Sequence, residues 1–357
     1  MPVPIFPKQR SPLHGRGAAG NPPNRFERLH VEADPDAEPE EQVNPRTQFF
    51  FDASQSLLTK NESPDIPFSY SLNVYRGCEH GCAYCYARAY HEYLGWSGGL
   101  DFESKILVKL RAPELLRKEL SAPKWEPQLI AMSGATDCYQ PAERHFELTR
   151  RCLEVLVELR NPVGVITKNF LVTRDRDLLA DLATHGCALV NFTITTLDAK
   201  LASKLEPRAA RPEHRLEAMR LLSQAGIPTG VMVAPIIAGL TDHEIPAILD
   251  AAAQAGASHA GYTVLRLPHS VKDVFTEWLS VHEPTKMDRV LSRVHDVRGE
   301  SSRPSDWGAR LRGDGFFAEQ IANFFSVAAR RAGLNKKPFE PSVAHFRRPG
   351  GEQLTFF

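Results

Sequence analysis

The sequence is poor in cysteine, which excludes one class of small, stable protein. Only six cysteines occur in 357 residues, too few for the dense disulfide scaffold that stabilises small secreted domains. Three of the six fall within eight positions, from Cys78 to Cys85. Such clustering is typical of metal binding in a reducing compartment rather than of disulfide formation.

Long apolar runs and an excess of one charge are also missing. No stretch reaches the roughly 18 apolar residues of a membrane span, and the first residues, MPVPIFPKQR, interrupt with prolines and charges the apolar segment that a secretory signal needs. We therefore expect a cytoplasmic protein with no membrane partner. Lys plus Arg and Asp plus Glu are equal at 43 each, so any affinity for nucleic acid must be local.

The chain divides into three predicted regions. Residues 1–45 combine many prolines, little aliphatic content and an acidic run, which predicts a disordered tail because such a segment buries too little apolar surface to offset its chain entropy. Residues 46–283 alternate between strand-like and helix-like segments and form the predicted barrel domain. Residues 284–357 are predicted to be a mainly helical, locally basic extension.

Six strand-like segments, bounded by Gly, Pro or Asp, alternate with helix-like ones. They are Tyr70–Arg76, Gln128–Ser133, Val163–Lys168, Ala188–Thr196, Thr229–Ile236 and Ala260–Leu267. Apolar residues at i, i+3 and i+4 spacing lie between them, as in Leu153, Leu156 and Val157. Right-handed crossovers would join these strands into a parallel sheet. The pattern predicts an α/β fold, an open (β/α)6 partial TIM barrel whose chemistry lies at the carboxyl ends of its strands.

The extension beyond the sixth strand has amphipathic segments at 271–279 and 286–297 and a helix over about 316–332. From Pro284 onward, 13 Lys or Arg stand against 8 Asp or Glu. Two interpretations stay open for this basic region. It is a solvated helical cap on the barrel, because charge runs are usually exposed faces, or it is a surface for a polyanionic partner.

The cysteine motif directly follows the first predicted strand, in the sequence NVYRGCEHGCAYCYAR. Its three thiols, Cys78, Cys82 and Cys85, therefore lie in a loop at a carboxyl strand end, where an α/β barrel keeps its active site. Thiolates are the usual ligands of iron–sulfur clusters, and a cubane has four irons. Three cysteines leave one iron open to chelation by a small molecule, so the motif indicates a reactive [4Fe-4S] centre.

Structural zinc is the first alternative, with His80 completing a Cys3His ligand set. Against zinc, the spacing of three and then two intervening residues differs from the paired C-x2-C of most zinc modules, and no second pair occurs. A non-catalytic metal-binding or electron-carrying module is a second alternative and would have four protein ligands. A third is a nucleic-acid-binding protein that uses the basic extension, although the sequence contains no known nucleic-acid recognition motif.

In this context, C-x3-C-x2-C resembles the motif of the radical S-adenosylmethionine (radical SAM) superfamily. The sequence around this motif resembles the spore photoproduct lyase-like branch of the superfamily, also called DNA repair photolyase-like. Within that branch it resembles a bacterial subgroup of unassigned substrate. The supporting phrases are ATDCYQPAE at 135–143, ITK at 166–168, LEPR at 205–208 and APIIAGLTD at 234–242. The resemblance covers roughly residues 68–268.

This resemblance implies an enzyme in which Cys78, Cys82 and Cys85 hold a [4Fe-4S] cluster. Its implied chemistry is reductive cleavage of S-adenosylmethionine, followed by abstraction of hydrogen from a substrate. It also implies an external electron donor of the flavodoxin or ferredoxin type. The branch points to a nucleic acid or nucleotide substrate, with thymine-dimer DNA as one candidate, although likeness of fold does not transfer a substrate.

The resemblance further implies roles for residues near the strand ends. Tyr84 would lie against the adenine, Thr136 and Asp137 would contact the methionine amino group, Lys168 would pair with the methionine carboxylate, Thr195 or Arg215 would assist, and the segment from Ile236 to Leu240 would support the adenine. Each role has a structural alternative. Tyr84 is then a core aromatic residue, Asp137 a helix cap, and Lys168 one partner of a surface ion pair worth under about 1 kcal/mol.

Hydrogen return is where the sequence departs from the lyase. There, a cysteine on the second strand and two tyrosines around the last cluster cysteine form a hydrogen-transfer path, and Tyr84 and Tyr86 match the tyrosines. Gly134 stands near the place of the cysteine, and the nearest thiol is Cys138, four residues later. Cys138 either faces the mouth of the site as a hydrogen donor or is an inert loop residue, because a reactive thiol must be accessible.

Overall fold

The computed structural model describes residues 12–27, 44–298 and 309–348. The strands in these ranges are β1 (Gln48–Phe51), β2 (Leu58–Lys60), β3 (Tyr70–Leu72), β4 (Tyr75–Arg76), β5 (Lys105–Val108), β6 (Ile130–Met132), β7 (Val163–Thr167), β8 (Ala188–Thr193), β9 (Thr229–Ile236) and β10 (His259–Val264). The α-helices are α1 (Arg88–His91), α2 (Leu100–Ser104), α3 (Ala112–Ser121), α4 (Glu143–Phe146), α5 (Leu148–Leu159), α6 (Arg176–Thr184), α7 (Ala199–Leu205), α8 (Pro212–Gln224), α9 (Ile245–Gln254), α10 (Ser270–His282), α11 (Met287–Arg298), α12 (Ala309–Arg312) and α13 (Phe316–Arg331). Short 3-10 helices lie at Glu92–Leu94, Phe170–Asp175, Asp242–Glu244 and Pro284–Lys286.

The main sheet has the strand order β10-β9-β8-β7-β6-β3-β2. Strands β3, β6, β7, β8, β9 and β10 are parallel, and β2 adds an antiparallel strand beside β3. Helices connect the successive parallel strands, as right-handed crossovers require. The predicted six-unit α/β architecture is confirmed. Because β10 and β2 stand at opposite ends of the order, the barrel is open between its first and last parallel strands.

The first predicted strand is split into two, which the sequence pattern did not indicate. Tyr70–Leu72 runs in the main sheet, whereas Tyr75–Arg76 pairs antiparallel with β5 in a second sheet of order β1-β5-β4. Between the two, the Asn73 side chain accepts hydrogen bonds from the backbone N–H groups of Ala135 (3.0 Å) and Thr136 (3.2 Å). The chain therefore leaves the main sheet early, and the cysteine loop begins from the second sheet.

Apolar faces of the helices pack against the main sheet. Leu153 and Leu156 of α5 are fully buried beside Val163 and Val165 of β7 in one continuous hydrophobic core, and burying such side chains contributes about 1.5–3 kcal/mol each. Glycines follow several of the connecting helices. Gly186 follows α6 with a φ of 68°, a left-handed conformation that closes a helix and favours glycine.

The C-terminal helices lie where the sequence predicts them. Ile321, Phe325 and Ala328 of α13 belong to the same core as the barrel, and the Phe325 ring lies 4.6 Å from that of Tyr262 on β10. This packing favours the interpretation of the extension as a cap on the barrel. Among the helices in the described ranges, none is long and apolar enough to cross a membrane.

Residues 12–27 differ from the disordered tail expected over 1–45, whose remaining residues up to 43 lie outside the described ranges. The backbone N–H groups of Gly17 and Ala18 donate to the buried Glu103 carboxylate at 3.1 and 2.9 Å. Gly17 also lies against the cysteine loop, since a Cβ there would come within 1.7 Å of the Gly81 carbonyl oxygen. Composition did not indicate this order, because the segment is held by a buried acceptor that lies far along the chain.

Candidate functional site

The cysteine loop connects β4 to α1 and brings the three predicted ligands together. The Cys78 N–H donates to the carbonyl of Phe102 at 2.9 Å, and the Cys85 N–H donates to the carbonyl of Cys82 at 3.2 Å. Cys78 and Cys82 are buried, and Cys85 is partly exposed. Burial raises the pKa of both buried thiols, that of Cys82 to about 12, because an apolar environment disfavours the thiolate.

A buried ion pair between Arg88 and Glu103 fixes this loop. The sequence pattern did not indicate either residue. The Arg88 guanidinium donates to the carbonyls of Gly81 (3.0 Å) and Cys82 (2.9 Å), and to two further carbonyls at 98 and 99. It also contacts the Glu103 carboxylate at 2.6 Å, and neither side chain is exposed. Satisfying these carbonyls restricts the backbone that carries the thiols. In the sequence, only the position of Arg88 close to the cysteine motif indicated that it could help to hold this loop.

Asp137 and Lys168 meet at the ends of β6 and β7. The Asp137 carboxylate accepts from the Thr167 hydroxyl (2.8 Å), the Tyr139 N–H (2.8 Å) and the Lys168 backbone N–H (2.7 Å). The bond from Tyr139 closes a local turn and not a helix cap, because the following helix, α4, has Ala142 as its N-cap residue and no side-chain cap bond. Thr136 is buried beside them, and its hydroxyl donates to the carbonyl of Tyr75 at 3.3 Å.

His80 is the fourth ligand of the zinc alternative, and both of its ring nitrogens have partners. Nδ1 lies 3.4 Å from the Asp137 carboxylate, and Nε2 lies 3.0 Å from the side-chain nitrogen of Asn169. Burial lowers the pKa of His80 to about 4, so the imidazole is neutral near pH 7. Within the described ranges, no three His, Cys, Asp or Glu side chains are placed to hold a single metal ion.

Tyr84 joins a buried polar network rather than a purely apolar core. Its hydroxyl donates to the Glu206 carboxylate and lies 3.0 Å from the Thr195 hydroxyl. Glu206 in turn forms a buried ion pair with Arg215. Burial alone would raise the pKa of Glu206, but the neighbouring Arg215 and Lys168 charges hold it below its usual value. Glu206 belongs to the LEPR motif at 205–208, and that motif was the one sequence feature that pointed to this residue.

Lys168 is the link between this network and the cysteine loop. Its Nζ lies 5.8 Å from the centroid of the Tyr84 ring, and its positive charge opposes the burial that raises the pKa of Cys82. Within the described part of the chain, no carboxylate lies within 4.0 Å of this ammonium group. The surface ion pair proposed as the alternative for Lys168 is therefore not found there.

The adenine-supporting segment divides between two apolar clusters. Leu240 packs in the cluster that contains Cys82 and Tyr84, together with Ile237. Ile236 instead packs in the main core of the barrel. Leu240 and Ile237 therefore pack with the cysteine loop, whereas Ile236, which was expected there, does not.

Tyr86 and Cys138 differ in exposure. The Tyr86 hydroxyl donates to the carbonyl of Gly134, and its ring is 39% exposed. The Cys138 thiol is buried in the main core, 3.9 Å from the Met132 carbonyl, where burial raises its pKa. This placement favours the inert alternative for Cys138.

The donor set fits a [4Fe-4S] cluster held by three thiolates. Cys78, Cys82 and Cys85 are free thiols of one loop. The other three cysteines pack in the main core and not with this loop. His80, the imidazole within this loop, is engaged on both nitrogens, which leaves the three thiols as the candidate ligands of the loop.

Known proteins resemble this chain to different extents. An uncharacterized protein of Mycobacterium tuberculosis (strain ATCC 25618 / H37Rv) is 34% identical over 226 residues, covering 63% of this chain and 66% of the relative, just under two thirds of its length. An uncharacterized protein of Methanocaldococcus jannaschii is 33% identical over 178 residues, covering 49% of this chain and 63% of that protein. A solved structure of spore photoproduct lyase complexed with dinucleoside spore photoproduct has a TM-score of 0.55 at 18% identity, covering 80% of this chain and 78% of that one.

The likeness to spore photoproduct lyase, at this identity, establishes the fold. The family model described as the Radical SAM superfamily matches residues 72–252. This range includes the cysteine loop, Asp137, Lys168 and the buried network around Glu206. Because the match spans more than half of the chain, this chain belongs to the radical SAM superfamily.

Proposed function

We propose that the chain is a radical SAM enzyme in which Cys78, Cys82 and Cys85 hold a [4Fe-4S] cluster. Membership of the family implies this cluster, S-adenosylmethionine and an external reductant. When bound, the cluster would supply the electron that splits S-adenosylmethionine into methionine and a 5′-deoxyadenosyl radical, which abstracts hydrogen from the substrate. The observation that carries the proposal is three free thiols in one fixed loop near Lys168, which has no carboxylate partner among the described residues.

Lys168 is proposed to bind the methionine carboxylate. Its ammonium group is partly buried and lacks a carboxylate partner within the described ranges, while its backbone is held by Asp137 at 2.7 Å. Charge-assisted hydrogen bonds of this kind are the strong ones in protein sites. Thr136, buried on the neighbouring strand end, is the proposed contact for the methionine amino group.

Asp137 and Arg215 are better suited to positioning than to direct contact. The Asp137 carboxylate already accepts three hydrogen bonds and faces His80, which uses nearly all of its lone-pair sites. Arg215 donates to the carbonyls of Ala210 (2.7 Å) and Thr193 (2.9 Å) and pairs with Glu206. We propose that Asp137 fixes Lys168 and that Arg215 fixes Glu206, and through it Tyr84 beneath the adenine.

An acidic electron donor of the flavodoxin or ferredoxin type is proposed to dock near the cysteine loop. An open cavity of about 400 Å³ is lined by Arg144, Arg208 and His214, with Asn169 and Phe170 between them. Arg208 contacts the Glu79 carboxylate at 3.3 Å, and Glu79 directly follows Cys78. A basic surface one residue from a cluster ligand suits a negatively charged protein, since complementary charge steers association.

The proposed substrate is a nucleic acid or a nucleotide. The support is the shared fold of spore photoproduct lyase, whose solved complex contains a dinucleoside spore photoproduct. A different route of hydrogen return is proposed here, because Cys138 is buried in the core and Gly134 provides no thiol. Repair of that same lesion by the lyase path is therefore not part of the proposal.

The decisive experiment is an assay for 5′-deoxyadenosine after anaerobic reconstitution with iron and sulfide. Reduced protein should release 5′-deoxyadenosine from S-adenosylmethionine, and ultraviolet-irradiated DNA or a nucleotide should change the rate. A variant in which Cys82 is replaced by Ala is the control and should release none. Purification with stoichiometric zinc and no iron, or no release from protein that holds its cluster, would contradict the proposal.

A further inference from the structure

The open side of the barrel is bridged by the short helix α12. Arg310 on α12 contacts the Asp65 carboxylate at 2.7 Å, in the segment that leads into β3. Arg312, two residues later, places its guanidinium carbon 4.4 Å from the centroid of the Tyr262 ring on β10. The helix therefore connects the segment before β3 with β10, and beyond the end of β10 Arg266 reaches Tyr86 of the cysteine loop.

Arg266 lies two residues after the end of β10. Its guanidinium carbon lies 5.3 Å from the centroid of the Tyr86 ring. The side chain is partly buried, and burial together with the nearby Arg310 lowers its pKa. In the ranges that the structure describes, no carboxylate lies within 4.0 Å of Arg266. The charge of Asp65 favours this guanidinium from beyond that distance, and a partly buried guanidinium with no carboxylate in contact in these ranges is suited to binding an anion from another molecule.

Two tyrosines, Tyr86 and Tyr90, lie next to Arg266. Tyr86 and Tyr90 are 39% and 52% exposed, and their ring centroids are 6.2 Å apart in an edge-on arrangement. The Tyr86 hydroxyl reaches the carbonyl of Gly134 at the end of β6. A Cβ built at Gly134 would meet no atom within 4 Å, so open space lies next to the aromatic pair. Exposed rings beside open space are surfaces on which nucleobases stack.

We propose that Arg266, Tyr86 and Tyr90 form a substrate subsite for a phosphodiester and the base next to it, an inference that rests on the proposed function. Arg266 would bind the phosphate oxygens with its planar set of donors. The ring of Tyr90 would stack on the adjacent base, and Tyr86 would hold the guanidinium from below. A carboxylate would also suit Arg266, but it gives no reason for two exposed rings beside the charge.

The test measures binding to the reconstituted protein by calorimetry with two probes. One is thymidylyl-(3′→5′)-thymidine, which carries one phosphodiester charge, and the other is its neutral methylphosphonate analogue. The parent protein should prefer the charged probe. R266Q should weaken binding of the charged probe about 10-fold or more and remove the preference, whereas R266K should retain part of it. Y90A, at an exposed position, should weaken both probes.

R330Q is the matched control, because Arg330 is an exposed arginine on α13 and its loss removes the same charge. Equal binding of both probes by the parent, no binding of either, or equal effects of R266Q and R330Q would each overturn the inference. Unfolding temperatures of all variants check that they fold. The assay needs no electron donor, so a lack of 5′-deoxyadenosine release from the same preparation would count against the proposed function alone.

Discussion

Arg88 Nη2 lies 2.6 Å from Glu103 Oε1, and both side chains are completely buried. Through this pair the cysteine loop is tied to α2 and to residues 17 and 18 of the N-terminal segment. A buried charge that loses its partner is far more costly than an exposed one. The geometry of the candidate cluster site thus depends on an ion pair that contributes no cluster ligand.

Glu103→Gln should lower the free energy of unfolding by about 3 kcal/mol or more, because it leaves Arg88 buried without its counter-charge. Chemical denaturation measures the loss, and iron bound per chain after reconstitution should fall as well. Glu158→Gln is the matched control. Its exposed pair with Arg117 should contribute less than about 1 kcal/mol. Equal losses in the two variants would show that the buried pair has no special role.

Replacing Cys78, Cys82 or Cys85 by Ala should abolish the brown iron–sulfur absorbance or leave a labile remnant, since each removes one of three thiolate ligands. Iron analysis and absorption spectra after anaerobic reconstitution measure this. Cys187→Ala removes a thiol that packs in the main core and should leave the iron content unchanged. Full iron content in any of the three ligand variants would remove that cysteine from the site.

Lys168→Ala should weaken the binding of S-adenosylmethionine by about 1.5–3 kcal/mol, the scale of a hydrogen bond to a charged group. The dissociation constant of the reconstituted protein measures it. Lys200→Ala, at an exposed position on α7, controls for the loss of one positive charge and should have no effect. An unchanged constant for the Lys168 variant would mean that this ammonium group does not touch the cofactor.

Cys138→Ala should leave both S-adenosylmethionine cleavage and the product pattern as in the parent, because the thiol is buried in the core rather than at the site mouth. Product analysis by mass spectrometry checks this. Cys152→Ala, another thiol buried in the same core, is the control for lost packing. If the Cys138 variant cleaves S-adenosylmethionine but releases misprocessed substrate, the thiol is the hydrogen donor after all.

His91 should make stability fall as the pH is lowered. Burial lowers its pKa to about 4, against the opposing charge of Asp101 and with Lys105 and Arg88 assisting. Below about pH 6.5, His91 therefore binds a proton in the unfolded chain but not in the folded chain. Its contribution to stability is complete above that pH and is lost as the pH falls towards 4. Between pH 7 and pH 5 the loss should be about 2 kcal/mol.

Unfolding curves of the parent and of His91→Phe over this pH range test the assignment. The variant should show a dependence on pH that is smaller by that amount, because Phe cannot take up a proton. The neighbouring rings of Trp96 and Phe102, at 5.2 and 5.6 Å, can accommodate an aromatic replacement. Parallel curves for the two proteins would assign the pH dependence to other groups.

The barrel and the family could be predicted from the sequence alone. Strand and helix patterns are local, because side chains alternate every two residues in a strand and recur every 3.6 in a helix, so six units were readable without long-range information. The three cysteines lie within one loop, and their spacing was equally readable. Lys168 was predicted from its place at a strand end, where the barrel topology fixes the direction of side chains.

The residues that surround the cysteines depend on tertiary contacts. Glu206 meets Tyr84 across 122 positions of sequence, and Gly17 meets Glu103 across 86, contacts that no local pattern encodes. Ile237 rather than Ile236 faces the cysteine loop because β9 ends at Ile236, and the period of two holds only within a strand. Cys138 was undecided for the same reason, since the chain turns after β6 and packing alone determines whether a thiol in that turn is buried or exposed.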